Sequence, residues 1–130
     1  MVKNMLVPVD GSEGSDRAID QAITLASACG ANINQLAINA CLSDAILEAV
    51  TKAGNVILDR AMEMVPEGVD KEAFSETGSP VVVILDFAMD NDMDLIVMGS
   101  RGLGVVKGVL LGSVSQYIVE QSKCPVLVVK

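Results

Sequence analysis

The chain has 130 residues, 51% of them hydrophobic, with nine Lys and Arg against 17 Asp and Glu and a formal net charge of −8. That balance excludes a general nucleic-acid or anionic-membrane binder, and the absence of histidine excludes imidazole zinc sites and His-based catalytic triads. The length suits one well-buried core and hence a single domain over residues 1–130.

There is no Trp, and only two Phe and one Tyr, so aliphatic residues carry the core. Short aliphatic runs with few aromatics suit a parallel sheet covered by helices on both faces. The three cysteines, Cys29, Cys41 and Cys124, are odd in number and widely spaced in apolar company. They read as buried free thiols of a reducing compartment. No apolar run approaches the ~20 residues that cross a bilayer, and the N-terminus lacks a signal-peptide apolar core. The expectation is a soluble cytoplasmic protein.

In chain order, "MLVPV" (5–9) reads as a strand buried on both faces and ending at "DGSEGS". Helical spacing follows, with Ala18, Ile19, Ala22, Ile23 and Ala26 on one face and Gly30 as the stop. "INQLAIN" (33–39) is a weaker strand, interrupted by Asn34, Gln35 and Asn39. Ser43 can cap a long helix with the stripe Leu47, Val50, Ile57, Ala61 and Met64, closed by Pro66 and Gly68. "KEAFSET" (71–77) is at best a short edge strand.

"SPVVVILDFAMD" (79–90) carries a conflict. Val81 to Ile84 favour strand, whereas Ser79 followed by Pro80 is a helix start. Helix is preferred, because a strand here leaves "LIVMG" (95–99) without a crossover. "SVSQYIVEQSK" (113–123) reads as helix and "PVLVV" (125–129) as the last strand. The alternation predicts a five-stranded parallel sheet with right-handed crossovers.

"GSRGLGVVKGVLLGS" (99–113) concentrates five glycines in a stretch without acids. From Leu95 to Val119 there is no Asp or Glu, while Arg101 and Lys107 are present. Gly99 and Gly104 have Walker A spacing, but Val105 and Val106 stand where Lys and Ser or Thr belong. Gly102 and Gly104 begin a dinucleotide fingerprint, but Lys107 occupies its third glycine, and the loop follows a late strand. Neither motif is met. Gly112-Ser113 precedes a helix, so backbone N–H groups and the Ser113 hydroxyl can meet phosphate oxygens there. Gly99 and Gly102 let a ligand approach the backbone without a Cβ. Asp10 ends the first strand.

The spacing Gly99-x2-Gly102-x9-Gly112-Ser113 resembles the nucleotide loop of the universal stress protein family, in its ATP-binding branch. "MLVPVDGSEGSDRAIDQAITLA", "GSP", "DLIVMGSRG" and "LLGSVSQYIVEQSKCPVLVVK" extend the resemblance over the chain. It implies an adenine-nucleotide α-hydrolase-like α/β fold with strand order 3-2-1-4-5, and a homodimer through residues 125–129. It implies an adenine-nucleotide site at Pro8, Val9, Asp10, Ile38, Met98, Gly99, Arg101, Gly102, Gly112, Ser113, Val114 and Ser115, with Mg2+ or Mn2+ carried on the phosphates. In the family's usual pattern the second strand ends in a "HV" stretch. Here Ala37-Ile38-Asn39 replaces it, and the short 40–42 connection leaves less protein to cover an adenine.

For several of these residues two roles stay open. Asp10 either caps the first helix and bonds its own turn, or contacts the ribose or a phosphate-bound metal. Val9 and Ile38 flank the adenine on the resemblance, but are also ordinary strand-end residues. Arg101 is preferred over Lys107 as the phosphate contact. Ser115 bonds either a phosphate or its own helix turn. The expected function is an ATP-binding stress protein acting as a switch or sensor. The alternatives are a nucleotide-free dimerisation module and a weak metal-dependent ATP hydrolase. The chain offers no Walker lysine or His base, which counts against efficient phosphoryl transfer.

Overall fold

The computed structural model describes residues 1–40, 43–101 and 111–130. Five strands, β1 (Asn4–Val9), β2 (Asn32–Asn39), β3 (Lys71–Thr77), β4 (Leu95–Gly99) and β5 (Val126–Val129), alternate with four helices. These are α1 (Glu13–Cys29), α2 (Asp44–Met64), α3 (Pro80–Asp90) and α4 (Ser113–Gln121). The strands form one parallel sheet in the order β3-β2-β1-β4-β5. Chain direction along the sheet reverses after β3, so the crevice between β1 and β4 is a topological switch point.

Strand alternation splits the core in two. Met5, Val7, Val9, Ile33, Ala37 and Val97 pack against α1 and α2, while Leu6, Leu36, Ile96 and Met98 pack against α3 and α4. On α1 the buried stripe is Ala18, Ile19, Ala22 and Ala26, and Gly30 ends the helix at φ 71°. That left-handed angle is one glycine adopts without strain. The Ser79-Pro80 start outweighs the strand propensity of Val81–Ile84, and Phe87 and Ile84 turn inward. "KEAFSET", expected as at best a short strand, forms seven residues paired in parallel with β2.

Two sequence expectations are corrected. The stripe of α2 is buried only at its C-terminal end, where Leu58 and Ala61 pack on the sheet. Leu47 and Val50 are half-buried, and the neighbouring Ile46 is 54% exposed. A 21-residue helix is roughly 30 Å long, and an eight-residue strand only about 26 Å. The helix thus exceeds the strand by about one turn, and Ser43 to Ile46 at its start are exposed. Cys29, expected buried, is exposed at the last position of α1, where its thiol bonds the Leu25 carbonyl. Cys124 is half-buried and free, and Cys41 lies outside the described residues.

The polar residues that weaken β2 in sequence are buried and hydrogen-bonded. Asn34 donates to the Met5 carbonyl at 3.1 Å, Gln35 to Ala61 at 2.9 Å, and Asn39 to the Ser75 hydroxyl at 2.9 Å. The Gln35 bond and two from Lys71, to the Met62 and Val65 carbonyls, satisfy the end of α2. This helix has no glycine stop of its own, and cations are favourable at such an end. Mid-helix Gly54 has a local reason: a Cβ there lies 2.5 Å from the Asn39 side-chain oxygen.

At the amino edge, Asp94 accepts from the backbone N–H groups of Lys3 and Asn4, both at 2.9 Å. The Asn4 bond first, then the Lys3 bond, holds its carboxyl below the usual carboxylate range. The contribution is therefore present above the unfolded-state pKa and lost as pH falls through the folded one. Asp94→Asn is expected to remove this part of the acid sensitivity, read as a smaller drop in melting temperature between pH 6 and pH 3 (both values about, on the reference carboxylate scale).

Candidate functional site

The carboxyl ends of β1 and β4 carry most of the residues singled out in sequence. β1 runs out at Val9 and turns sharply at Gly11, whose φ is 81°. Ser12 caps α1, accepting from the Ser15 N–H at 3.1 Å. Asp10 sits inside this turn. Its Oδ1 accepts both the Ser12 N–H, at 2.9 Å, and the Ser12 hydroxyl. Its own N–H points to the Ser15 hydroxyl at 3.3 Å. The turn-bonding role left open in sequence is thus present, with Ser12 rather than Asp10 as the helix cap. Oδ2 of Asp10 has no hydrogen-bond partner among the described residues.

β4 ends one strand away. Gly99 faces α1, and a Cβ there lies 2.8 Å from the carbonyl carbon and oxygen of Gly14. Gly14 in turn is closed on by the Arg101 carbonyl oxygen, 2.5 Å from its own Cβ position. These two glycines let the first turn of α1 abut the entry to the glycine loop. Gly99 is therefore bare because protein backbone, not a ligand, lies against it. Gly102 and Lys107 lie outside the described residues.

The start of α4 is tied to the same point. The Ser100 carbonyl accepts from the Gly112 N–H at 2.7 Å and from the Ser115 hydroxyl at 2.6 Å. Ser115 is 3% exposed and also lies 3.2 Å from the Gly112 carbonyl. Of its two open roles, the structure shows the local bond. The first intrahelical bond of α4 runs from Gln116 to Gly112. Among the described residues no acceptor serves the N–H groups of Ser113, Val114 and Ser115, the donors that every helix start leaves open. No side chain caps this start either, and Ser113 is exposed. The result is a positive helix end, with the Arg101 Cα 3.5 Å from the Cβ position of Gly112 and no acid on its own segment.

The apolar residues divide. Val9, 6% exposed, lies in the core under α1 and α2, whereas Ile38 and Met98 belong to the opposite cluster. Val9 pairs in register with Ala37, so its side chain and that of Ile38 point to opposite faces of the sheet. Pro8 pairs with Leu36 and shares the Ile38 face.

Sequence reasoning missed Ser12, Ser15 and Gly14. The signal was available in "DGSEGS", where small residues every one or two positions mark a turn with close backbone approaches. An open groove of about 390 Å³, lined among others by Met89, Met93 and Cys124, lies at the amino ends of β4 and β5. It is on the far edge from this site. Among the described residues no three Cys, Asp or Glu side chains cluster to hold a metal ion, and no helix is long and apolar enough to cross a membrane.

The family model for the universal stress protein family matches residues 1–130. The universal stress protein YxiE of Bacillus subtilis is 36% identical over 148 aligned positions, covering 100% of both chains. A solved universal stress protein in complex with cAMP is 30% identical at a TM-score of 0.81, covering 99% of this chain and 97% of that one. A universal stress protein from Archaeoglobus fulgidus, 21% identical, superposes at a TM-score of 0.84 over 100% of both chains.

Proposed function

The chain belongs to the universal stress protein family, and from that premise we propose that it binds an adenine nucleotide, ATP, across the carboxyl ends of β1 and β4 and serves as a nucleotide-dependent switch or sensor in a stress response. The observation that carries the reading is the open start of α4. Three backbone N–H groups without a described acceptor stand at a topological switch point, beside Arg101 and away from any acid on their own segment. The cAMP-bound relative, at 30% identity, supports an adenine nucleotide as the anion.

In this reading Ser113, Val114 and Arg101 take the phosphates. Gly112 and Ser115 hold the cradle in place by bonding Ser100, and Gly99 seats it against α1. Gly102 contributes backbone from the loop. Pro8, Ile38 and Met98 lie along the α3–α4 face beneath the base, and Val9 contributes main chain only. The protein supplies Asp10 alone as a carboxylate, so Mg2+ or Mn2+ arrives on the phosphates rather than in a site of its own. The working form is a cytoplasmic homodimer paired through residues 125–129.

Binding raises the melting temperature. At a free concentration 100 times Kd, linkage contributes about 2.7 kcal/mol. Thermal melts with ATP, ADP, AMP and GTP check it, and the expected order places adenine nucleotides ahead of GTP. No shift with any adenine nucleotide removes the proposal.

A further inference from the structure

We propose that the groove between the ends of α3 and α4 binds a soft monovalent cation, Cu(I), through the sulfur atoms of Met89, Met93 and Cys124. All three side chains line this groove at the amino ends of β4 and β5. It lies on the edge opposite the proposed nucleotide site and is independent of it.

Local structure brings the three sulfurs to one place. Helix α3 closes on itself after Asp90: the Met93 N–H donates to the Ala88 carbonyl at 2.9 Å, and the Asp92 N–H to the Met89 carbonyl at 3.4 Å. Asp92, at φ 51°, takes the left-handed position of this closure. Met93 is thereby folded back on the turn that carries Met89. Met93 and Cys124 pack against the same core cluster, which holds Ile84, Phe87 and Ile96. The Ile96 N–H donates to the Pro125 carbonyl at 3.0 Å, which seats Cys124 beside the amino end of β4, where Met93 leads in.

The fold holds the Cys124 backbone and leaves its sulfur open. The Ser122 hydroxyl gives its hydrogen to the Cys124 carbonyl at 2.8 Å and accepts the Cys124 N–H at 3.2 Å. In the 3.5 Å contact between Ser122 Oγ and Cys124 Sγ the thiol is therefore the donor, and the sulfur lone pairs remain available. Cys124 and Met93 are half-buried. Met89 is 58% exposed, so it does not fill a core gap, the ordinary use of methionine. An unbranched thioether reaches an ion by side-chain rotation alone.

The donor set selects the ion. Thiolate and thioether are soft ligands and favour Cu(I). Hard divalent ions gather about six oxygens, whereas the groove offers only the carboxylates of Asp86 and Asp92, with Lys123 nearby. Those two acids outnumber the lysine and favour a cation. Zinc takes about four Cys, His or carboxylate ligands, and no three Cys, Asp or Glu side chains cluster among the described residues. As the Cu–S bond forms, the Cys124 proton passes to solvent and copper keeps its oxidation state. Affinity therefore falls as pH is lowered.

The test titrates Cu(I) anaerobically into the full chain against bicinchoninate, a chromophoric chelator. Melting temperature and circular dichroism of each metal-free variant establish that it is folded. Wild type is expected to withhold one ion per chain from the chelator, and Cys124→Ser to withhold none. Met89→Leu combined with Met93→Leu conserves volume and keeps the thiol. It weakens binding at least about tenfold, since even groups outside a ligand set change metal affinity by that much. Cys29→Ser, which removes the exposed thiol of α1, leaves binding unchanged. Wild type that yields all its copper to the chelator overturns the proposal, and so does binding that survives Cys124→Ser. Unchanged affinity in the double leucine variant reduces the site to a single thiol and overturns it as well. Loss of the ion in Cys29→Ser has the same consequence.

Discussion

Gly99→Ala lowers the melting temperature by more than Gly112→Ala does, although both glycines belong to one spacing pattern. The Gly99 Cβ lands 2.8 Å from the carbonyl carbon and oxygen of Gly14 and 3.1 Å from its Cα. All three are backbone atoms of a helix, so no side chain can swing aside and α1 itself must back away from β4. Overpacking of this kind costs roughly 1–3 kcal/mol, or about 3–15 °C for a domain of this size. At Gly112 the nearest atoms are 3.5 and 3.6 Å away, ordinary contact, and φ is −69°. The only loss there is the modest N-cap preference for glycine over alanine, within about 1 kcal/mol. Gly99→Ala also weakens nucleotide, because α1 carries Gly14 against the Arg101 carbonyl at the loop entry. Scanning calorimetry of the two variants decides the matter; equal losses would mean that the β4–α1 approach is not what requires Gly99.

The contrast shows which kind of information the sequence held. Periodicity and punctuation sufficed for the elements: the Ser79-Pro80 start, the Gly30 stop and the short aliphatic runs each act through nearest neighbours along the chain. Contacts between distant segments were not legible. "GSRG" marks Gly99 as exceptional, yet nothing local says that α1, rather than a ligand, lies against it. Asn34, Gln35 and Asn39 looked like interruptions because their partners, Met5, Ala61 and Ser75, are 26 to 36 residues away or more than a strand apart in sequence. Those partners take the amide N–H groups, while the side-chain oxygens of Gln35 and Asn39 are buried without a partner among the described residues.

The same limit applied to the site. A list of strand-end residues does not say which face each one takes, and a one-residue step reverses it. Val9 and Ile38, grouped at the base on the resemblance, take opposite faces of the sheet by register. Ser115 was left between two roles, and its hydroxyl bonds the Ser100 carbonyl and lies 3.2 Å from the Gly112 carbonyl of its own turn. Asp10 illustrates the reverse case, since its turn bonds fall on Oδ1 and leave Oδ2 without a partner among the described residues.

The sheet's two edges predict how the molecule assembles. β3 presents Lys71, Glu72 and Glu76 along its seven residues, and charges on an edge discourage pairing. β5 is four aliphatic residues, all half-exposed, followed by Lys130. Its bonding to β4 shows which groups are open. The carbonyls of Pro125 and Val129 accept from Ile96 and Ser100 at 3.0 and 2.9 Å. With the strand period of two, Leu127 also faces β4, and the N–H and carbonyl groups of Val126 and Val128 face outward. Pairing with a two-fold mate satisfies those groups and buries valines from both subunits. Val128→Pro therefore removes an outward donor without touching the β4 ladder, in an edge-strand setting that tolerates proline. The expected result is a wild-type dimer at micromolar concentration, unchanged by ATP, and a folded monomer for Val128→Pro. Light scattering with circular dichroism reads both, and either a monomeric wild type or a Val128→Pro dimer removes β5 as the interface.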